Sequence, residues 1–255
     1  MPYFSINGEM NMYFEEHGIG DPIVFIHPPA MGSITFKKQK SLSEKYKVIL
    51  YDIRGNGRSE FSNEDITITL LAHDLKALVD HLNLKNVILC AYSYGGAIAL
   101  EFALLYPDHV KGIILCGGFS EVSSFRLQQQ FKIGIFIAQV RGIKLLAKAL
   151  ATSHTQEKPF QRELQNYIEM VNPRILYQMY KEGLYYNCTV RLSQIKIPLL
   201  LIYGSRDHYI HGYQTLFKNN ISQTDVIYIS KAKHQIPTKF YQEYNTVIDK
   251  FVQSI

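Results

Sequence analysis

Ser93, Asp207 and His234 are the side chains whose types together could carry out nucleophilic acyl chemistry. A serine hydroxyl is a weak nucleophile at its own pKa and needs a base to take its proton during attack. Histidine suits that role, because imidazole titrates near neutrality and can return the proton to a leaving group. A carboxylate would hold the imidazole in one tautomer and stabilise the imidazolium. Each of the three follows an apolar run of strand length: Val87 to Ala91 before Ser93, Pro198 to Tyr203 before Asp207, and Val226 to Ile229 before His234. Ligands bind beyond the carboxyl ends of strands in open parallel sheets, so these three ends are where such chemistry would gather. His208 and His211 compete for the base's role, but His208 adjoins Asp207 and its ring is hard to grip from there. Without a third ligand at recognisable spacing, this pair predicts no metal site.

The serine sits at a sharp corner. After Val87 to Ala91 come Tyr92-Ser93-Tyr94-Gly95-Gly96, and then Ala97 to Leu105, rich in helix formers and stopping before Pro107. Strand must become helix within two or three residues, and Gly95 and Gly96 supply the small neighbours that such a crossing needs. The hydroxyl is then pushed out above a helix N-terminus, where main-chain N–H groups can receive an oxyanion.

This corner resembles the nucleophile elbow of the α/β-hydrolase family, normally Gly-x-Ser-x-Gly, with Ala91 in place of the first glycine. The order Ser93, Asp207, His234 is the order that the resemblance implies for a catalytic triad. Asp52-x-Arg54-Gly55-x-Gly57-x-Ser59 and Gly204-x-x-Asp207 are likewise similar to loops of that family. Arg54 is expected to tie its loop down, without a catalytic role. The resemblance implies an oxyanion hole whose first donor is the Tyr94 N–H. The second should come from the loop after the third strand, but His27-Pro28-Pro29 places a proline there, and proline has no N–H. Ala30 or Met31 is therefore expected to donate instead, Gly32 leaving the loop adaptable.

The elements that must position these groups follow from the pattern. Tyr3 to Ile6 and Met10 to Glu15 flank Asn7-Gly8-Glu9, a hairpin signal. Further strands are expected at Ile23 to Ile26, Val48 to Tyr51 and Val110 to Cys116. Helices are expected over Thr35 to Glu44 and over Thr69 to Leu82, where Leu71, Leu75, Leu78 and Leu82 recur at helical spacing. Strand and helix alternate, which predicts an α/β chain with a parallel sheet built of right-handed crossovers. The rhythm stops after Gly118 and resumes at Pro198. Between them only helical segments appear, at Ser124 to Leu150, Pro159 to Val171 and Pro173 to Gly183. A last helix is expected from Pro237 to Gln253. The fold expectation is a mostly parallel eight-stranded sheet with helices on both faces, the α/β-hydrolase fold. Residues 1–118 and 196–255 form its core, and residues 119–195 an inserted helical cap.

Composition narrows the function classes. Of 255 residues, 47% are hydrophobic and 19% charged, enough for a sizeable core. The net charge of +5 comes from scattered basic residues, and neither a long basic run nor a recognisable module speaks for nucleic acid. The best stretch for a membrane span, Phe131 to Ala151, is broken by Lys132, Arg141, Lys144 and Lys148. The first eight residues carry no basic start and no apolar core, which predicts no secretory leader. Three cysteines, Cys90, Cys116 and Cys188, make no disulfide framework, and a reducing cytoplasm is the expected home.

The expected function is hydrolysis of a small carboxylic ester, thioester or lactone through an acyl-enzyme on Ser93, with no cofactor and a small acyl molecule as partner. His27, Pro29, Met31 and Phe119, with aromatics such as Phe125, Tyr167, Tyr177, Tyr180 and Tyr185, are candidates for the substrate pocket. A serine nucleophile argues against haloalkane dehalogenase or epoxide hydrolase chemistry. C–C hydrolases, perhydrolases and acyltransferases use the same triad. A small-ligand-binding signalling protein with slow hydrolysis is the alternative from another class, favoured by the missing Pro29 N–H. Oligomeric state has no signal in the sequence.

Overall fold

The structure is a computed structural model that describes residues 2–255; Met1, the first residue of the expected core, lies outside the described residues. The chain begins with β1 (Tyr3–Ile6) and β2 (Met10–His17), joined by a tight turn in which Asn7 and Gly8 both take positive φ. Next come β3 (Pro22–Ile26), a largely 3₁₀ segment over Ser33–Glu44, and β4 (Lys47–Tyr51). Helix α1 (Ile68–His81), capped by the Thr67 hydroxyl, leads to β5 (Val87–Tyr92), α2 (Gly95–Leu105) and β6 (Val110–Cys116). Four helices follow without an intervening strand: α3 (Phe125–Gln139), α4 (Ile143–His154), α5 (Lys158–Ile168) and α6 (Pro173–Tyr185). The chain then returns through β7 (Leu199–Gly204), α7 (Tyr213–Asn220), β8 (Thr224–Ile229), the short α8 (Ile236–Lys239) and α9 (Tyr241–Ser254).

All eight strands form one sheet in the order β1-β2-β4-β3-β5-β6-β7-β8. The β1–β2 and β2–β4 pairs are antiparallel and every other pair is parallel. Burial on both faces explains why the central strands read as unbroken apolar runs. Period-2 alternation then sorts their side chains. Val24, Leu89, Ala91, Ile113 and Leu115 pack toward α1 and α2, whereas Ile23, Phe25, Ile88, Cys90 and Ile114 pack toward the 3₁₀ segment and α9. The parallel strands β5, β6 and β7 end on the same rim, as does β8.

Two helix expectations are corrected. The single helix over Ser124 to Leu150 is two, α3 and α4, because Arg141 turns to φ 55 before Gly142 and the α3 ladder stops there. The C-terminal helix is likewise split, with Phe240 in a non-helical conformation between α8 and α9. Helix α7, short and mostly polar, carried too little apolar periodicity to be read in advance. No helix among the described residues is long and apolar enough to cross a membrane.

Candidate active site

Ser93 occupies the turn between β5 and α2, with φ 54 and its N–H donated to the Cys116 carbonyl at 2.8 Å. A left-handed serine is strained, and both neighbouring elements hold it there. Gly95 makes the crossing possible: a Cβ at that position would lie well inside contact with the Ile26 carbonyl oxygen of β3. Asp207 follows β7, held in a turn by its N–H on the Gly204 carbonyl at 2.9 Å, and is buried. His234 follows β8.

The three side chains meet. His234 Nδ1 lies 2.7 Å from Asp207 Oδ2, and His234 Nε2 lies 2.9 Å from Ser93 Oγ. The carboxylate accepts from Nδ1–H, which leaves Nε2 as an acceptor for the serine hydroxyl. The imidazole is held between the rings of Tyr92 and Tyr209, with centroids at 5.3 and 6.1 Å. Its edge faces Gly117, whose φ of 63 and missing side chain leave the ring its space. Gly117 was not singled out in the sequence; the Gly117-Gly118 doublet at a strand's carboxyl end was the available signal.

A cavity of about 410 Å³ opens over Ser93 and His234. Pro29 and Met31 line it from the β3 loop, α3 contributes Gln130, Phe131 and Ile137, and α4 contributes Leu146 and His154. Two expected lining residues are corrected. His27 is fully buried behind the loop, its Nε2 accepting the Ile53 N–H at 2.9 Å and its Nδ1 facing the Pro28 carbonyl at 2.8 Å. Phe119 is turned into a cluster with Phe131 and Tyr213. Among the other aromatics expected to line the cavity, Tyr180 does so, Phe125 and Tyr185 are exposed, and the Tyr167 hydroxyl donates to Asp52 at 2.6 Å. His208 and His211 meet edge to face, His211 bonding the Gly204 carbonyl, and no metal-binding cluster occurs among the described residues.

The expected loop donor is corrected as well. The Ala30 N–H is donated to Asn56 Oδ1 at 2.7 Å, and the Met31 N–H to the Pro28 carbonyl at 3.2 Å. The Ser33 N–H goes to Asp52 Oδ1 at 2.7 Å. Pro28 and Pro29 have no N–H to give, and the loop's next amides are taken by buried acceptors of the loop itself and of the turn after β4. By contrast, the Tyr94 N–H has no partner among the described residues and lies at the start of α2 beside Ser93. Arg54 ties its loop down through the Asp74 carboxylate, which takes both Nε and an Nη, and through Glu64 at 2.9 Å.

His154 is a second histidine of the cavity wall. Burial pushes its imidazole down to about 4. Its Nδ1 faces the Leu150 carbonyl at 2.8 Å, so the neutral ring turns Nε2 to the Tyr92 hydroxyl at 3.1 Å. The Tyr92 contact was not readable from sequence, since α4 and β5 are remote along the chain.

The profile of the alpha/beta hydrolase fold family matches residues 17–237. The chain belongs to this family. The alpha/beta hydrolase is 25% identical over 268 residues to an AB hydrolase superfamily protein of Bacillus subtilis, YisY, covering 99% of each chain. Its fold is that of an esterase from Exiguobacterium antarcticum, with a TM-score of 0.88 at 20% identity over 98% of both chains. An enol-lactonase from Burkholderia xenovorans superposes with a TM-score of 0.86 at 20% identity, over 99% of this chain and 100% of that one.

Proposed function

We propose that this alpha/beta hydrolase is a serine hydrolase that cleaves a small carboxylic ester, thioester or lactone through an acyl-enzyme. The observation that carries the reading is the unbroken line of contacts from Asp207 through His234 to Ser93, at 2.7 and 2.9 Å, at the floor of an apolar cavity. Ser93 Oγ attacks the carbonyl carbon while Nε2 takes its proton. The imidazolium, stabilised by Asp207, hands that proton to the departing alcohol or thiol. Water then gives a proton to Nε2 and attacks the acyl-serine, releasing the acid and restoring the hydroxyl. Relatives in fold that bear the names esterase and enol-lactonase support the same substrate class. Residues 119–195, running through α3 to α6, act as a cap over the site. The three buried, unpaired cysteines fit a reducing compartment.

The Tyr94 N–H is the main-chain donor for the oxyanion, and the loop adds none. Loss of one oxyanion donor costs about 10²–10³ in turnover, so the hydrolysis is slow for this fold. That loop also favours a second reading, a receptor that binds a small ligand and turns it over incidentally.

Fluorophosphonate labelling together with turnover of short p-nitrophenyl esters separates the two. Labelling and turnover that both vanish in Ser93→Ala support the hydrolase. Labelling of the native protein with no turnover on any ester supports the receptor, and no labelling at all defeats both.

A further inference from the structure

The stretch that failed as a membrane span carries an unusual surface. Between Glu121 and Glu157 the sequence has no acidic residue, yet it has five basic ones: Arg126, Lys132, Arg141, Lys144 and Lys148. None of the five forms an ion pair among the described residues, whereas Lys37, Lys38, Lys45 and Lys76 elsewhere on the surface each hold an acid. The same segment exposes large apolar side chains. Phe125 is 76% exposed, Phe136 62%, Ile133 and Val140 57% each, and Leu145 70%.

These residues share a face. At about 100° per residue, Phe125, Phe136, Val140 and Ile133 fall within a sector of roughly 80° on α3, with Lys132 on one border and Arg126 on the other. Leu127, Phe131, Gly134 and Ala138 occupy the buried side of the helix. Beyond Val140 the turn and the start of α4 add Arg141, Lys144 and Leu145; Glu169, just past the end of α5 and beside Arg141 and Leu145 in a shallow groove, is an acid that borders the patch. An apolar stripe edged by unpaired cations is the pattern of a helix lying in the headgroup layer of an anionic bilayer. A protein partner would need a matching acidic surface around an apolar groove, whereas a bilayer offers both to a convex helix.

We propose that the exposed face of α3, with the α3–α4 turn, seats this protein on a membrane surface rich in anionic lipid. Ile133 belongs both to the exposed stripe and to the cavity wall, next to Arg126 and Gln130. Seating on lipid therefore brings the cavity mouth to the surface, and on the hydrolase reading above its substrate is an amphiphilic acyl compound delivered from the bilayer.

Flotation with vesicles of phosphatidylcholine containing 30% phosphatidylglycerol, against pure phosphatidylcholine, tests the seating without any need for turnover. The native protein floats with the anionic vesicles, and high salt releases it. Lys132→Gln and Lys144→Gln each lower partitioning about fivefold, and Phe136→Ser lowers it further. All three variants keep the native rate on a soluble p-nitrophenyl ester. A native protein that stays in solution with anionic vesicles overturns the proposal. So does equal binding to both vesicle types. Self-association in sedimentation velocity that Phe136→Ser abolishes, without vesicle binding, assigns the face to a second copy and overturns it too. Absence of ester turnover with flotation intact refutes the hydrolase reading and the delivery step, and leaves the lipid surface standing.

Discussion

Replacing Gly117 with alanine puts the steric demand of one methyl group directly on the His234 imidazole. The new Cβ would stand 2.6 Å from His234 Cε1 and 3.0 Å from Nδ1. Carbon atoms rest at about 3.5–4.0 Å, so the ring has to retreat by roughly 1 Å. Tyr92 and Tyr209 flank the ring and Asp207 holds Nδ1, so the retreat comes at the expense of the 2.9 Å contact with Ser93. A displacement of about 1 Å at reacting groups costs about 10²-fold in rate. The φ of 63 adds a strain of about 1–2 kcal/mol to the folded state. Gly117→Ala is therefore expected to lower kcat on a short p-nitrophenyl ester about 10²-fold while KM moves less than about threefold, because the cavity walls stay in place. Gly212→Ala is the control, since a Cβ there meets open space. A Gly117→Ala enzyme that loses thermal stability but keeps native kcat would refute the claim that this glycine sets the imidazole's position.

Three further expectations follow from the same geometry. Asn56→Ala strips the buried Ala30 N–H and the Arg54 carbonyl of a partner and should cost about 1–3 kcal/mol in urea unfolding. Its kcat should not fall beyond about threefold, because the N–H that Asn56 holds is not an oxyanion donor; a 10²-fold loss would place Ala30 in the oxyanion hole after all. Tyr167→Phe removes the hydroxyl that donates to Asp52 at 2.6 Å and meets Ser33 at 3.1 Å, and should lower stability by about 1–3 kcal/mol, read as a shifted urea midpoint. The His154 imidazole, pushed by burial from 6.5 to about 4, binds its proton more weakly folded than unfolded. Stability is then complete above pH 6.5 and falls as pH drops toward 4, by up to about 3 kcal/mol. In His154→Gln that part of the pH dependence should disappear from thermal unfolding, and an unchanged slope would show that the ring is not buried neutral.

Much of this was legible in the chain itself. Apolar runs such as Val87 to Ala91 and Leu199 to Tyr203 declare strands buried on both faces, and the glycines after Ser93 declare the crossing of helix over strand. Local chemistry therefore fixed the rim on which Ser93, Asp207 and His234 stand. The β3 loop shows where such reasoning ends. Two prolines announced that an N–H was missing, but whether Ala30 or Met31 replaced it depended on a competing acceptor, Asn56, whose place beside the loop is set by the Asp52–Ser59 turn.

What the sequence determined by itself was periodicity, turn chemistry and the set of groups able to move a proton, since each depends on residues a few positions apart. Tertiary structure alone decided where the spare donors and acceptors went. It turned the loop amides inward, sent His27 and Phe119 away from the cavity, and brought His154 against Tyr92. The physical reason is that a buried polar group takes whichever partner packing brings within about 3 Å, and packing is a property of the whole chain.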